Sequence, residues 1–503
     1  MKLKRVLVAN RGEIAVRLLR GLAECGVTGV AVYTDADRHA LHVEVATEAV
    51  GLGEPMAYLD VARLVEAAKA SRCDAVHPGY GFLSERPAFA RAVQEAGLIF
   101  IGPDPATIEA MGDKVRAREL AEKAGVPLVP GTGKGLSDAE LASAAARLGY
   151  PVLVKAAAGG GGKGMRIVRE PGELENALAG ARHEAGKAFG DSTVFLEKYI
   201  ERPRHVEIQI LADHHGHVIH CLERECSIQR RHQKILEESP SPALTPGLRK
   251  EMGDSAVALA KATGYKNAGT VEFILGPDGR YYFLEVNTRL QVEHPVTEVV
   301  TGLDLVHWQL KIASGEKLTV RQEDVVPRGH GIEVRLYAED PAAGYMPSSG
   351  KILAYSEPEG PGVRVDSGVT AGSEVTPNYD PMLAKLIVHA PDREAARRRL
   401  VRALGEYRVL GVRTNLSLLA WIAEHPEFAS GATDTGFLVR NPPPKAPANV
   451  DELGQVAAIA AALAAMGAGV ASAAGTASTS PGSTGGPTVL PTPFSRLGGV
   501  WLG

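Results

Sequence analysis

The chain has 503 residues, with 55 basic and 59 acidic side chains and a formal charge of −4. At roughly 100–200 residues per domain, that length implies two to four domains, each able to bury its own core. A slightly acidic balance supplies no global basic field for nucleic acid, and no stretch reads as a signal peptide or a membrane span. Cysteines at 25, 73, 221 and 226 have neither disulfide-framework density nor zinc-knuckle spacing, so reduced thiols and a cytoplasmic location are expected.

In chain order, residues 5–110 alternate short apolar runs with helical patterns. Arg5–Ala9, Gly29–Tyr33, Ala75–His77 and Ile99–Ile101 read as strands and Glu13–Glu24 as a helix, which predicts a wound, parallel α/β domain. Lys114–Ala124 is helical, and Pro127, Pro130 and Gly131 then break the chain. From Pro151 the rhythm is that of hairpins: Val152–Ala156 with Met165–Arg169, then Thr193–Tyr199, Val206–Leu211 and Val218–Leu222, and later Gly269–Leu275 with Tyr281–Val286. A further segment starts near Arg328, with strands to His389 and an arginine-rich helix over Arg393–Glu406. Beyond Pro442–Pro444 the composition is that of a linker, and no fold is assigned to it. The chain therefore reads as a multidomain protein of α/β and α+β class.

The segment Tyr281–His294, YYFLEVNTRLQVEH, carries the most chemistry. From Glu285 every second residue is polar: Glu285, Asn287, Arg289, Gln291, Glu293. In an extended chain these share one face. A solvated face is the common explanation, but such faces are built of Lys, Thr and Glu rather than Asn, Arg and Gln between carboxylates. With Asp278-Gly279 at the centre of a two-residue turn, Glu272 lies directly opposite Glu285, with Cβ atoms ~5 Å apart. Like charges so placed call for a cation between them. Asn287, ~6.6 Å further along, can add a carbonyl oxygen, and an oxygen-only set suits Mg²⁺ held jointly with phosphates. On a straight strand Glu293 would sit ~26 Å from Glu285. Either the chain bends after about Arg289 or the two carboxylates do different jobs, and a carboxylate beside an arginine fits a general base.

The glycine run Ala158–Met165 precedes a strand, so it is neither a dinucleotide fingerprint nor a P-loop. It reads as a hairpin tip whose N–H groups can lie over phosphates, with Lys155 adding charge. Arg230, Arg231, His232, Gln233 and Lys234 form either a solvated loop or an anion site in a cleft. His214, His215, His217 and His220 resemble metal ligands, but Asp213–Gly216 reads as a turn, which disfavours zinc. Arg397–Arg399 with Arg402 fit a solvated helix face or a subunit contact.

Taken together, VLVANRGEIAVR (6–17), VHPGYGFLSE (76–85), MGDK (111–114), GGGGKGM (159–165), RHVEIQ (204–209), IQRRHQK (228–234), LEVNTRLQVEHPVTE (284–298) and EVRLYAED (333–340) resemble biotin carboxylase. The resemblance implies an N-terminal domain over 1–112, an ATP-grasp domain over 113–330 with a mobile glycine lid at about 131–203, a C-terminal domain over 331–440, and a tail over 441–503. Lys114, Lys155, Gly161 and Gly162 would meet ATP phosphates, and Glu197, Lys198 and Ile200 the adenine. His205, Gln229 and His232 would lie near the rest of the nucleotide. Glu272, Glu285 and Asn287 would hold Mg²⁺ or Mn²⁺. Lys234, Arg289, Gln291 and the Val292 backbone would bind bicarbonate, Glu293 would be the base, and Arg335, with Tyr80 nearby, would face biotin. The implied reaction is carboxylation of carrier-borne biotin through carboxyphosphate, the first half-reaction of an acyl-CoA carboxylase type of enzyme. No Met-Lys-Met context for a biotinyl lysine occurs, so the carrier is expected on another chain, or on a part of the protein outside this sequence, alongside a carboxyltransferase subunit. A homodimer is expected, and neither nucleic acid nor membrane. Two other readings use parts of the same pattern: a carboxylate–amine ligase on the same scaffold, and a non-catalytic nucleotide-sensing subunit. The first has no reason to carry RLQVEHP and EVRLYAED together, and the second predicts loss of Glu293 or Arg289.

Overall fold

The computed structural model describes residues 2–156, 165–189, 191–230 and 233–444. The expected tail, apart from residues 441–444, lies outside them, as do Gly161, Gly162 and His232. The N-terminal apolar runs form a five-stranded parallel sheet: β1 Arg5–Val8, β2 Thr28–Tyr33, β3 Glu48–Gly51, β4 Ala75–His77 and β5 Ile99–Phe100, in the order β3-β2-β1-β4-β5. Val6, Leu7 and Val8 on the central strand are wholly buried, as a parallel sheet covered on both faces requires. The order reverses between β1 and β4, and open α/β sheets bind ligands outside the carboxyl ends of strands at such a point. The loops leaving these two strands are tied together there. Nδ2 of Asn10 donates to the carbonyls of Pro78 (2.8 Å) and Tyr80 (2.7 Å). Gly79 adopts φ +63°, and a Cβ on it would lie 2.8 Å from that same Nδ2, so this turn demands glycine.

A small antiparallel sheet follows, β6 Val152–Ala156, β7 Arg166–Val168 and β8 Val194–Lys198, in the order β7-β6-β8. It packs on the helices Asp138–Leu148 and Leu174–Phe189 through its own apolar cluster of Leu141, Val152, Val154 and Leu178.

The main sheet has eight antiparallel strands. It contains β9 Arg204–Ala212, β10 Val218–Arg230, β11 Gln233–Ser239, β12 Asn267–Leu275, β13 Tyr281–Asn287 and β14 His330–Tyr337, with the strands Met382–Ala390 and Val363–Ser367. The order is β13-β12-β9-β10-β11-β14, then Met382–Ala390 and Val363–Ser367. The sheet is continuous across residue 330, because β11 pairs with β14. The strand expected to stop at Leu222 runs on to Arg230. Leu222 has φ +66° and the pairing with β9 slips between His220 and Glu223, and this bulge breaks the alternation that marks a strand in sequence.

The β12–β13 turn differs from expectation. Pro277, Asp278 and Gly279 form a three-residue loop: the Gly279 N–H bonds to the Gly276 carbonyl and Gly279 adopts φ +79°, a turn followed by a left-handed residue. Leu275, Ile274 and Phe273 pair with Tyr281, Tyr282 and Phe283. Leu284 then bulges out, and Glu272 faces Glu285 after all. The expected pairing holds because the longer loop and the bulge compensate. The alternation beyond Asn287 is not a strand: β13 ends there, and the chain turns into the helix His294–Thr301. Glu85 fixes the bend by accepting from the Thr288 N–H (3.0 Å) and from Nε of Arg289 (2.9 Å).

Candidate active site

At the centre of the main sheet, Nζ of Lys234 donates to three carboxylates, Glu207 (2.5 Å), Glu293 (2.7 Å) and Glu272 (2.9 Å), with Oε1 of Gln291 at 3.4 Å. The bend after Asn287 brings Glu293 here, so a residue eight positions beyond Glu285 shares a cation with Glu285's cross-strand partner. The second oxygen of Glu293 accepts from Nη2 of Arg335 at 2.9 Å. Burial pushes the Glu293 pKa up, but Lys234 and then Arg335 outweigh it and hold the group well below the ordinary carboxylate range. Beneath Lys234, the fully buried Arg224 bonds Glu207, Gln209, Thr270 and Thr297. Arg224 and Glu207 thus form a rigid floor.

Next to this hub lies the expected metal position. Oε1 of Glu272 accepts from the amides of Asn287 (2.9 Å) and Gln291 (3.0 Å), and Oε2 lies 3.0 Å from Nε2 of His205. Burial is overcome by Lys234 and His205, which hold Glu272 well below the usual range. Glu285, opposite it, is shifted the other way, by burial and then by the charge of Glu272. Among the described residues no side chain donates to Glu285. An opposed pair of carboxylates, one of them without a donor, plus an amide oxygen, is a hard ligand set that fits Mg²⁺. His205, Glu207 and Glu272 also cluster closely enough for a metal, but the Lys234 ammonium already fills the place between the two carboxylates. A cavity of about 190 Å³ opens beside Glu285 and is lined by Lys114, Met111, Glu85, Asn287 and Thr288. Lys114 opens the helix Lys114–Lys123, whose N-cap Asp113 accepts from the N–H groups of Val115 and Arg116.

Other expected residues stand apart from the hub. Lys155 pairs with Glu197 (2.8 Å), which also meets Arg118 (3.2 Å), on the small sheet. Nζ of Lys198 is held by the carbonyls of Gly149 and Tyr150, at 2.9 and 3.1 Å. Ile200 lies by the β12–β13 turn. Gln229 pairs across the strands with Lys234 while its amide turns to the Cys226 carbonyl. Arg289 reaches Asn287 (3.1 Å) and Glu85. Tyr80 lies with its ring 5.8 Å from Nζ of Lys385, and that ammonium donates to the Val292 carbonyl at 2.9 Å. Arg230 belongs to neither a solvated loop nor the hub, since it forks onto Glu339 at 2.6 and 2.7 Å. The histidine group at 214–220 forms no metal-ligand cluster among the described residues: His217 caps Asp213 in the turn. Arg397 and Arg402 pair with Glu394 and Glu406 along their own helix.

Sequence reasoning assigned no role to Glu207, Arg224, Glu237, Lys385 or Glu85. A signal for the first was present: His205, Glu207 and Gln209 alternate with Val206, Ile208 and Ile210, the same period-two polar face used to find Glu285.

Three family models cover nearly all of the described chain: "Biotin carboxylase, N-terminal domain" over 2–108, "Carbamoyl-phosphate synthase L chain, ATP binding domain" over 113–321 and "Biotin carboxylase C-terminal domain" over 333–440. The chain is 52% identical over 442 residues to a biotin carboxylase of Halalkalibacterium halodurans, covering 87% of this chain and 98% of the relative. It is 50% identical over 443 residues to a biotin carboxylase of Nostoc sp., covering 87% and 99%. Among solved structures, the biotin carboxylase domain dimer of Hydrogenobacter thermophilus 2-oxoglutarate carboxylase, in complex with MgADP, ADP and bicarbonate, matches with TM-score 0.80 and 48% identity, covering 88% and 98%. Among the described residues no helix is long and apolar enough to cross a membrane.

Proposed function

The chain belongs to the biotin carboxylase family, and from that premise we propose that it uses ATP and bicarbonate to carboxylate biotin through carboxyphosphate. The observation that carries the reading is the Glu293 carboxylate held between Lys234 and Arg335, one hydrogen-bonded step from the Glu272–Asn287 pair. Bicarbonate binds against Lys234, Arg289, Gln291 and the Val292 backbone. The clamped Glu293 is a weak base while both cations face it. An anion entering beside Lys234 draws off part of that charge and repels Glu293, raising its affinity for the bicarbonate proton. The deprotonated oxygen then attacks the γ-phosphoryl group and ADP departs as the bond to the β-phosphate oxygen breaks, with Lys114 and Lys155 on the phosphates. Mg²⁺, when bound by Glu272, Glu285 and Asn287, supplies charge neutralisation at the phosphates. Carboxyphosphate breaks down to CO₂ and phosphate, phosphate takes the ureido proton of biotin, and the enolate-like anion, stabilised by Arg335, attacks CO₂ through its ureido nitrogen to give carboxybiotin. His205 and Gln229 are assigned to the ribose and phosphates of the nucleotide, and Glu197, Lys198 and Ile200 to its base; the roles expected of His232, Gly161 and Gly162 fall outside the described residues.

Biotin arrives on a carrier protein or carrier domain, and a carboxyltransferase takes the product onward. The chain works in the cytoplasm as a homodimer. The test is transfer of label from ¹⁴C-bicarbonate to free biotin and to a separately expressed biotinylated carrier domain. ATP-dependent labelling of both supports the reading. ADP release that responds to an amine, with no label in biotin, supports the ligase alternative instead.

A further inference from the structure

Behind Arg335 the main sheet buries two carboxylates against each other. Glu237 on β11 and Glu333 on β14 are direct cross-strand partners, which places their Cβ atoms ~5 Å apart on one face. Both residues are completely buried. Oε1 of Glu237 accepts from Nε of Arg335 at 2.7 Å. Among the described residues Oε2 of Glu237 and both oxygens of Glu333 have no partner. The neighbouring cations are engaged elsewhere. Arg335 lies between Glu237 and Glu293, while Lys385 bonds the Val292 carbonyl and pairs with Glu13 at 3.2 Å and Asp366 at 3.8 Å.

Two ionised carboxylates in this position repel each other and leave three buried acceptors without a donor, which a dry site penalises heavily. A single proton ends the repulsion and pairs two of the three oxygens, leaving one neutral carbonyl oxygen, which costs far less to bury than a carboxylate. We infer that Glu333 is a neutral carboxylic acid whose O–H donates to Oε2 of Glu237, keeping Glu237 an anion of fixed orientation that aims Arg335. Burial, opposed by Lys385 and reinforced by Glu237, pushes Glu333 well above the ordinary carboxylate range; burial lifts Glu237 as well, to about 7, but its bond to Arg335 opposes this, so Glu333 is the one that keeps the proton. Arg335 and Glu293 are the other charged groups that bear on it.

The consequence for turnover rests on the function proposed above. When Glu293 takes a proton, its bond to Arg335 weakens, and Glu237 becomes the anchor that holds the guanidinium toward biotin. Glu333 keeps Glu237 charged at that moment. It is a positioning residue, acting on the reaction through Glu237 and Arg335.

Two measurements on the full chain test this. The first is the infrared difference spectrum, wild type minus Glu333→Gln, at pH 7. A neutral carboxylic-acid carbonyl band present in wild type and lost in the variant is expected. Absence of that band overturns the inference, whether or not the protein turns over. The second is ADP release with bicarbonate and free biotin. Glu333→Leu, which leaves a buried Glu237 oxygen without a donor, is expected to lower kcat about tenfold or more with the KM for ATP unchanged. Glu333→Gln, whose amide donates as the acid does, is expected to restore most of that loss. A Glu333→Gln protein that is as impaired as Glu333→Leu, or that fails to fold, means that a neutral donor does not replace the native group and overturns the inference. If wild type releases no ADP in response to bicarbonate and biotin, the functional reading fails and the infrared band alone decides the protonation.

Discussion

Lys234 touches three site carboxylates, and replacing it by methionine separates its roles. Each carboxylate keeps a second partner: Arg224 for Glu207, His205 for Glu272 and Arg335 for Glu293. No bare anion is left, so the stability cost falls toward the lower end of the range for a broken buried pair, about 3 kcal/mol. The proposed bicarbonate site loses one charge-assisted hydrogen bond, worth roughly 1.5–3 kcal/mol, or about 10- to 150-fold in kcat/KM for bicarbonate. On the proposed mechanism the nucleotide phosphates meet Lys114 and Lys155 instead, so the KM for ATP should move less than about threefold. The assay is ADP release over a bicarbonate series at saturating ATP, with thermal unfolding in parallel. Lys234→Arg should not rescue, because the planar fork cannot reproduce three converging bonds to one point. An unchanged bicarbonate dependence with lost ATP affinity would refute the reasoning and place Lys234 on the nucleotide.

Burial, opposed by Lys385, lifts Glu13 to about 7, so it binds a proton more tightly folded than unfolded. Its contribution is full below the unfolded value near 4.5 and is lost as pH rises through 7, by about 1.4 kcal/mol between pH 6 and 8. Denaturant titrations should show that Glu13→Gln flattens this slope, and an unchanged slope would contradict the assignment. Asp113→Ala removes the N-cap of the Lys114 helix and should cost about 1 kcal/mol in stability. It should also raise the KM for ATP by loosening Lys114, which steady-state kinetics can check; a stability loss with an unchanged KM would separate Lys114 from the phosphates.

The parallel sheet and hairpin order were legible because Arg5–Val8, Thr28–Tyr33 and Asn267–Leu275 carry unbroken or alternating apolar patterns. The site was legible where chemistry sits on a regular strand, as at Glu272 and Glu285. It was obscured where the backbone is irregular. The positive φ of Leu222 hid the length of β10, and the bend after Asn287 is held by Glu85, some 200 residues earlier in the chain. Glu237 and Glu333 could not be paired from sequence, since β11 and β14 are joined by nearly a hundred residues of intervening chain, and only the folded register sets them face to face.

The mechanism turns on Glu293 taking the bicarbonate proton before phosphoryl transfer. Its most direct test is ADP release from MgATP, with and without bicarbonate and free biotin, for wild type and Glu293→Gln. Turnover is expected to need both small molecules and to fall by about 10²–10⁴ in the variant, the usual contribution of a positioned general base. ADP release indifferent to bicarbonate, or unaffected by Glu293→Gln, would contradict that role.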